Sequence, residues 1–534
     1  MKGRNKGFII AIVICISLSL TAISVCANPA RRGKGDRRSR FGMESIFKKG
    51  GWRDKSKWWD KGEWGEQEDS EEDSITNEEE ILDEEIPRDS EGTQKDVTTE
   101  DTQMGDTQIE DSTTEDVTDE GQSAIGSTDA PTASGDIGYS RVVESASSAV
   151  SSAKVCSSVS QLESAINSAS AGTVIYMKAG AYSNAELYID AKGSASNYIT
   201  IKNYPGDKVE FTNSTVTFAS SAKYVKFEGF ILKDYTPNDD WGSCVSFEGG
   251  ASYIDFKNNE ISNIKCRGTG EVGVNAIVLT GDSSSSINNV TIENCYVYNC
   301  KTGWSEAITT DGNVENCVIK NCTVDNTGNI GIDLCGNFSW TGTVGSDTNQ
   351  SRNILVTKNK VMNCNSDYAT SAGIYCDGGR DNTISYNIVY NSQCGIELGA
   401  EEKGADVKNF EVFGNTVVNC GRAIGAGAYL STGAKHYNTN VYDNTIICNK
   451  ANKWGENCAI FLERTTGFNF KNNIVYLKSS STSFIETSGS ADYTLSGNTW
   501  YVEGGSGSKP SQDTTGVFKN PNIENLDNML NGIF

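Results

Sequence analysis

The sequence predicts an all-β solenoid of parallel strands, and three observations carry that prediction. A phrase consisting of an apolar strand, then Asn, any residue, Val or Ile, any residue and Asn recurs eight times between Tyr253 and Tyr476. A further strand, marked by a small residue followed by Ile, keeps step with it at Ile277, Ile308, Ile332, Ile374, Ile396, Ile424 and Ile460, at intervals of 22 to 42 residues. Sixteen cysteines are spread over the chain, and those in the repeat follow its columns rather than any pairing pattern. One-per-turn spacing with strands this short fits coils that pair with the coils above and below, leaving edges only at the two ends.

The Asn phrase sets the register. Asn259, Asn359, Asn387, Asn415, Asn444 and Asn473 stand two residues before the central Val or Ile, and Asn263, Asn299, Asn326, Asn363, Asn391 and Asn419 two residues after it. An amide side chain both donates and accepts, so identical Asn stacked coil over coil can bond one another and the turn backbone. Both columns are expected to point inward at turns. Cys300, Cys364 and Cys420 share a column in alternate coils, about 9.6 Å apart, too far for a disulfide. They read as stacked buried thiols, whereas Cys295 and Cys322, in neighbouring coils, are close enough to pair.

Around this domain, assigned to residues 138–534, the chain reads in distinct pieces. Residues 1–27 have Lys2, Arg4 and Lys6 before an apolar run and read as a secretory signal peptide. Residues 28–65 are basic and carry Trp52, Trp58, Trp59 and Trp64, a composition suited to attachment at a cell wall or membrane surface. The acidic linker is assigned to 66–137, and its first 71 residues hold 26 acidic side chains against two basic ones. That segment accounts for the net charge of -24, so the charge describes a self-repelling tether rather than a partner. A capping helix is predicted at 160–169, with Ser160 and Glu163 forming a capping box and Leu162, Ala165 and Ile166 covering the first coil. The apolar end of the tail 504–534 is expected to cover the last coil. His436, the single histidine, is placed in a loop; a His-rich metal site or a Ser-His-Asp triad would require it, and one residue cannot serve both.

The residues one and three after each Ile point off the outside of the coil. Read coil by coil they are Thr309 and Asp311, Asp333 and Cys335, Tyr375 and Asp377, Glu397 and Gly399, Gly425 and Gly427, then Phe461 and Glu463. Asp311, Asp333, Asp377 and Glu397 therefore form a strip of carboxylates on one face, expected to be solvent-facing, with neighbouring Cα atoms about 8 Å apart. Carboxylates gathered in this way raise one another's pKa or bind a cation. Trp304, Trp340, Tyr375 and Trp454 are the nearby aromatics suited to stacking on sugars, and Arg464 is a candidate substrate contact.

The repeat resembles the right-handed parallel β-helix superfamily of pectin-lyase-like proteins. The stretch 159–211, opening VSQLESAINSASAGTVIYMKAGAY, is similar to the entry coils of chondroitinase-B-like and alginate lyases. The resemblance implies a right-handed, single-stranded β-helix that is secreted, monomeric and bound to a polysaccharide rather than to nucleic acid. It also implies calcium-assisted β-elimination on an acidic, pectate-like polymer. Asp311, Asp333 and Asp377 would hold Ca2+, and Lys403, Arg380 or Tyr375 would take the proton. A distant likeness to family 9 pectate lyases transfers only Asp333, in GID at 331–333. Where that family has a catalytic lysine this chain reads GIELG, with Glu397. The alternative is a glycoside hydrolase using Asp333 with Asp377, or Asp377 with Glu397, as paired carboxylates. A non-catalytic glycan-binding solenoid is the third reading.

Overall fold

The structure, a computed structural model, describes residues 137–402, 404–428, 434–449 and 451–534. The predicted signal peptide, the basic segment and nearly all of the acidic linker lie outside these residues. Each full coil visits three parallel sheets in turn, of 14, 13 and 11 strands, and every strand pairs with its counterpart one coil away. Among the described residues no helix is long and apolar enough to cross a membrane.

Alternation along each strand builds the core. In the third sheet Val245, Ile277, Ile308, Ile332, Ile374, Ile396, Ile424 and Ile460 align coil on coil and are fully buried. Val297, Val324, Val361, Val389, Val417, Ile446 and Val475 do the same in the second sheet. Each such side chain contributes roughly 1.5–3 kcal/mol of burial, against about 1 kcal/mol for a typical hydrogen bond. The apolar columns therefore supply most of the stability, and the polar columns decide register.

The two Asn columns differ, which corrects the expectation that both point inward. The first is a buried ladder. Side-chain amides donate in one direction from Asn359 to Asn387, Asn415, Asn444, Asn473 and Asn498 at 2.9–3.2 Å, and Asn498 donates to the Asp513 carboxylate at 2.8 Å. The second column lies at the outer turn. Asn263, Asn299, Asn326, Asn363, Asn391 and Asn419 all adopt left-handed φ of 52–58°, a conformation that Asn tolerates better than other residues with a side chain. In the ladder column, Cys295 and Cys322 stand where the repeat lacks Asn. The Cys322 backbone N–H donates to Asn359 Oδ1 at 2.8 Å, and its thiol donates to the Ile292 carbonyl at 3.7 Å.

All 14 described cysteines are free and buried, including Cys295 and Cys322. Cys300, Thr327 and Cys364 are aligned coil by coil, and the Cys364 N–H donates to Ser392 Oγ in the next coil. Thiols thus alternate with hydroxyls, as the alternate-coil spacing requires.

The ends depart from expectation in detail. The capping helix α1 spans Val159–Asn167, buries Leu162, Ala165 and Ile166, and is capped by Ser158, whose hydroxyl accepts from Gln161 N. Gln161 in turn accepts from Ser157 N–H at 2.8 Å, so the cap is Ser158 with Gln161 rather than Ser160 with Glu163. Residues Val517–Phe518 of the C-terminal tail pair with the last coil, but the tail's apolar end does not lie over it. Its helix α2, Leu526–Leu530, packs on an outward apolar patch of the second sheet formed by Val418, Ile447 and Tyr476. His436 is not in a loop but in the first-sheet strand Lys435–Tyr442, facing the core. Burial pushes its imidazole down to about 4.

Candidate functional site

The third sheet carries the candidate site. Pairing aligns Thr309, Asp333, Tyr375, Glu397, Gly425 and Phe461 in one outward column. A second holds Asp311 beside Cys335, then Asp377, Gly399, Gly427 and Glu463. The predicted columns are those the structure contains, but the strip is not solvent-facing: Asp333, Asp377 and Glu397 are 1%, 3% and 5% exposed. Long insertions between coils fold over the outer face. Phe338 and Trp340, from the insertion after strand Ile332–Cys335, stack at 4.1 Å, and Trp340 Nε1 donates to Asp311 Oδ2 at 2.9 Å.

At the centre the regular ladder breaks. Ile332 and Asp333 pair in parallel with Ile374 and Tyr375, but two residues on, Cys335 meets Gly378 in an antiparallel bridge. The Asp377 carbonyl accepts from Gly336 N–H at 2.8 Å, and the Asp377 N–H lies 3.4 Å from Asp333 Oδ1. The break gathers Asp333, Cys335 and Asp377, whose ligand atoms all lie within 4.8 Å of one another. The Cys335 thiol donates to Asp333 Oδ2 at 3.1 Å. Burial first, then the charges of Asp333, Asp311, Glu306 and Asp377, push that thiol far above its ordinary value, so it stays a protonated donor.

A second group lies two to four coils further along. Arg422 is held by Glu456 at 2.6 Å and Glu397 at 3.6 Å, with its guanidinium 3.8 Å over the Phe461 ring. Arg464 pairs with Glu463 and donates Nε–H to the Ala428 carbonyl at 2.9 Å. Burial raises the Glu463 carboxyl, against the pull of Arg464 and Arg422.

The remaining candidates are dispersed. Tyr375 is adjacent to both Asp333 and Glu397 in register and donates its hydroxyl to Glu401 at 2.7 Å. Trp304 is buried under Tyr368, ring centroids 4.7 Å apart. Arg380 belongs to a different face: it bridges Arg352 and Lys408 beside the first sheet and spends its guanidinium on Asp381 and the Asp347 carbonyl. Lys403 lies outside the described residues. Sequence reasoning missed Glu306, which accepts from Thr309 and Asn275 beside the cluster at 3.2 and 3.3 Å. It also missed Arg422 and Glu456. Arg422 had a signal, since it immediately precedes the small residue that marks its strand.

For a hard cation the donor set fits through two oxygens. Asp333 and Asp377 offer carboxylate oxygens within 4.8 Å of each other, whereas a protonated thiol is no calcium ligand and serves to orient Asp333.

Residues 190–446 match the family model described as the right handed beta helix region. The domain is a right-handed parallel β-helix. A curated relative of this β-helix is the uncharacterized protein YwoF of Bacillus subtilis (strain 168), 29% identical over 280 residues. The match takes in 48% of this chain and spans 57% of that relative's length. Among solved structures, the PL6 family polysaccharide lyase Pedsa3628 from Pseudopedobacter saltans is 16% identical with a TM-score of 0.40, over 69% of this chain and 96% of that one. The Agl-KA catalytic domain is 14% identical at 0.46, over 72% and 68%. The GH136 lacto-N-biosidase from Eubacterium ramulus is 10% identical at 0.36, over 63% and 64%.

Proposed function

We propose that the β-helix is an extracellular carbohydrate-active enzyme, a polysaccharide lyase cleaving a uronate-containing polymer by β-elimination, with its centre at Asp333 and Asp377. The supporting observation is the convergence of these two buried carboxylates within 4.8 Å where the ladder reverses beside Cys335. Two carboxylates this close repel each other when charged, and a cation between them would relieve that repulsion. Ca2+ held by Asp333 and Asp377 would supply neutralisation of the substrate carboxylate and acidify the neighbouring C–H.

The chain's own groups divide the remaining work. Cys335 fixes the Asp333 carboxylate through its 3.1 Å hydrogen bond, and Trp340 keeps Asp311 oriented from one coil away. Tyr375, next to Asp333 in register, is the described candidate for taking the proton, with Glu401 at 2.7 Å accepting its phenolic hydrogen. Lys403 is the alternative base. In this reading the substrate is an acidic polysaccharide, residues 1–27 direct export, and residues 28–65 hold the monomer at the cell surface.

The same pair supports a second reading. Carboxyl groups about 5–5.5 Å apart serve retaining glycoside hydrolases as nucleophile and acid, and Asp333 and Asp377 lie close enough together to form such a pair. A panel of pectin, alginate and glycosaminoglycan, with and without EDTA, separates the two. Unsaturated, ultraviolet-absorbing products lost with chelator are expected; saturated reducing ends insensitive to chelator would select the hydrolase. Full activity in both Asp333→Ala and Asp377→Ala would remove the site from either.

A further inference from the structure

We infer that the rim of the third sheet carries a sugar-binding platform separate from the carboxylate pair, built on Trp454 with Tyr368 beside it, for pyranose units of an acidic polysaccharide chain. The inference rests on the carbohydrate-active reading and adds where a long substrate is held.

Trp454 is unlike the other described tryptophans. Trp304 and Trp500 are buried and Trp241 and Trp340 half-buried, whereas Trp454 is 47% exposed. No ring stacks on it among the described residues. Half of the indole is left in water at the expense of apolar burial, yet hydrogen bonds hold the loop around it. The Asn452 side chain accepts from the N–H groups of Trp454 and Glu456 at 3.0 and 3.1 Å and donates to the Gln393 carbonyl at 3.2 Å. Glu456 is anchored on Arg422 at 2.6 Å. The loop leans on bare backbone at Gly421, where an added Cβ would meet the Asn452 Cβ at 2.6 Å.

The loop also clasps a neighbour three coils away. Lys453 Nζ reaches Asp367 Oδ1 at 3.1 Å, and the next residue, Tyr368, is 37% exposed with its ring on Trp304. Two exposed rings thus flank one ion pair on the rim. The ring ladders of the first sheet, such as Phe413 on Tyr442 at 5.0 Å and 12°, turn their faces toward each other. They leave edges outward, whereas sugars stack on faces. Lys453 Nζ lies over one face of the Trp454 ring, 5.0 Å from its centroid, so a uronate stacked on the other face of the indole would have a cation within reach of its carboxylate. Its present partnership with fully exposed Asp367 is a weak surface ion pair and is readily exchanged for a substrate carboxylate.

The test is affinity electrophoresis of the full chain through polygalacturonate, alginate and a neutral galactan, with a thermal melt of each variant as folding control. Trp454→Ala is expected to lose about tenfold in affinity for the acidic polymer with an unchanged melt, while Trp454→Phe keeps most of it. Lys453→Gln should lose about threefold on the acidic polymers and nothing on the neutral one. Wild-type binding in Trp454→Ala, or no retardation of the wild-type chain by any polymer, overturns the platform. The enzymatic reading fails independently: binding that depends on Trp454 without any product sinks the lyase and keeps the platform. Product formed with an unchanged KM on long polymer in Trp454→Ala does the reverse.

Discussion

The second and third sheets are built on one register and use it in opposite ways. At the turn into the second, successive coils place the same amide at the same position from Asn359 to Asn498, and each is satisfied by the next. In the third, one outward column runs Thr309, Asp333, Tyr375, Glu397, Gly425, Phe461, six residue types in six coils. Backbone pairing and the inward Ile column already hold the third sheet together, so its outer side chains are released from specifying the fold. A solenoid can diversify one face because another face keeps count.

The sharpest test of that division is a reciprocal pair of substitutions. Asp377→Asn removes a charge from the cluster, and activity on the best polymer is expected to fall about a thousandfold, within the range for loss of an acid-base or charge-stabilising group. Its melting temperature should hold or rise, since one of two crowded carboxylates is neutralised. Asn415→Ala should do the opposite. It removes the acceptor of the Asn387 backbone N–H and one of the donors to the Ile384 carbonyl, at a cost of about 3 kcal/mol, while the activity of the folded fraction is retained. Equal damage to stability and activity in both variants would erase the distinction.

The ladder's terminus should be nearly as sensitive. Asp513 is fully buried and accepts from Trp500 Nε1 at 2.9 Å, from Asn498 N–H and Nδ2 at 3.2 and 2.8 Å, and from Gly516 N–H at 2.7 Å. Burial opposes its charge, but these donors outweigh it and hold the carboxyl below the usual carboxylate range. Asp513→Ala leaves all of them unmatched and is expected to cost about 3–4 kcal/mol in urea unfolding. Asp513→Asn, which keeps an acceptor oxygen, should cost about 1 kcal/mol.

Legibility in the sequence followed the same line between sheets. Asn-x-Val-x-Asn is local and periodic, so it disclosed the coils, the columns containing Asp311, Asp333, Asp377 and Glu397, and the alternation of Cys300, Cys364 and Cys420. Burial of the strip was not legible, because it comes from insertions such as the one bearing Phe338 and Trp340, which obey no period. Nor was the reversal at Cys335 and Gly378, a departure from the repeat that pattern reading smooths over. The Arg422 clasp joins Glu397 to Glu456 across 59 residues of sequence, and only folding brings them together. His436 went to a loop because a polar residue in KHYNTN looks solvated; its ring instead faces Phe410 at 6.1 Å.

That histidine supplies a pH-dependent comparison with the carboxylate face. The imidazole is near 4 in the folded state, against an ordinary value of 6.5, because of burial. Between those values the unfolded chain binds a proton that the folded chain refuses. Its contribution to stability is therefore complete above pH 6.5 and lost as pH falls, by about 3 kcal/mol at pH 4. Unfolding measured from pH 7 to pH 4 should show this slope, and His436→Gln should flatten it. An unchanged slope in the variant would assign the acid sensitivity to the carboxylates instead.

The smallest effect expected is a gain, and it asks whether the ladder is additive. Cys322 stands where an Asn would continue the amide chain one coil further: its N–H already donates to Asn359 Oδ1, and its thiol reaches the Ile292 carbonyl at 3.7 Å. The amides of Asn359 and Asn387 make the equivalent contacts with the Ile319 and Val356 carbonyls at 2.9 and 3.0 Å. Cys322→Asn would replace a weak, long thiol donor by an amide able to bond that carbonyl and Asn359 together. The expected stabilisation is about 1 kcal/mol, the net worth of one good buried hydrogen bond, read as a rise in the urea midpoint at constant slope. A loss of stability would mean that the column is already packed to the volume of a thiol at this coil. In that case Cys295 and Cys322 define where the amide ladder must stop, and the repeat counts coils by packing there rather than by hydrogen bonds.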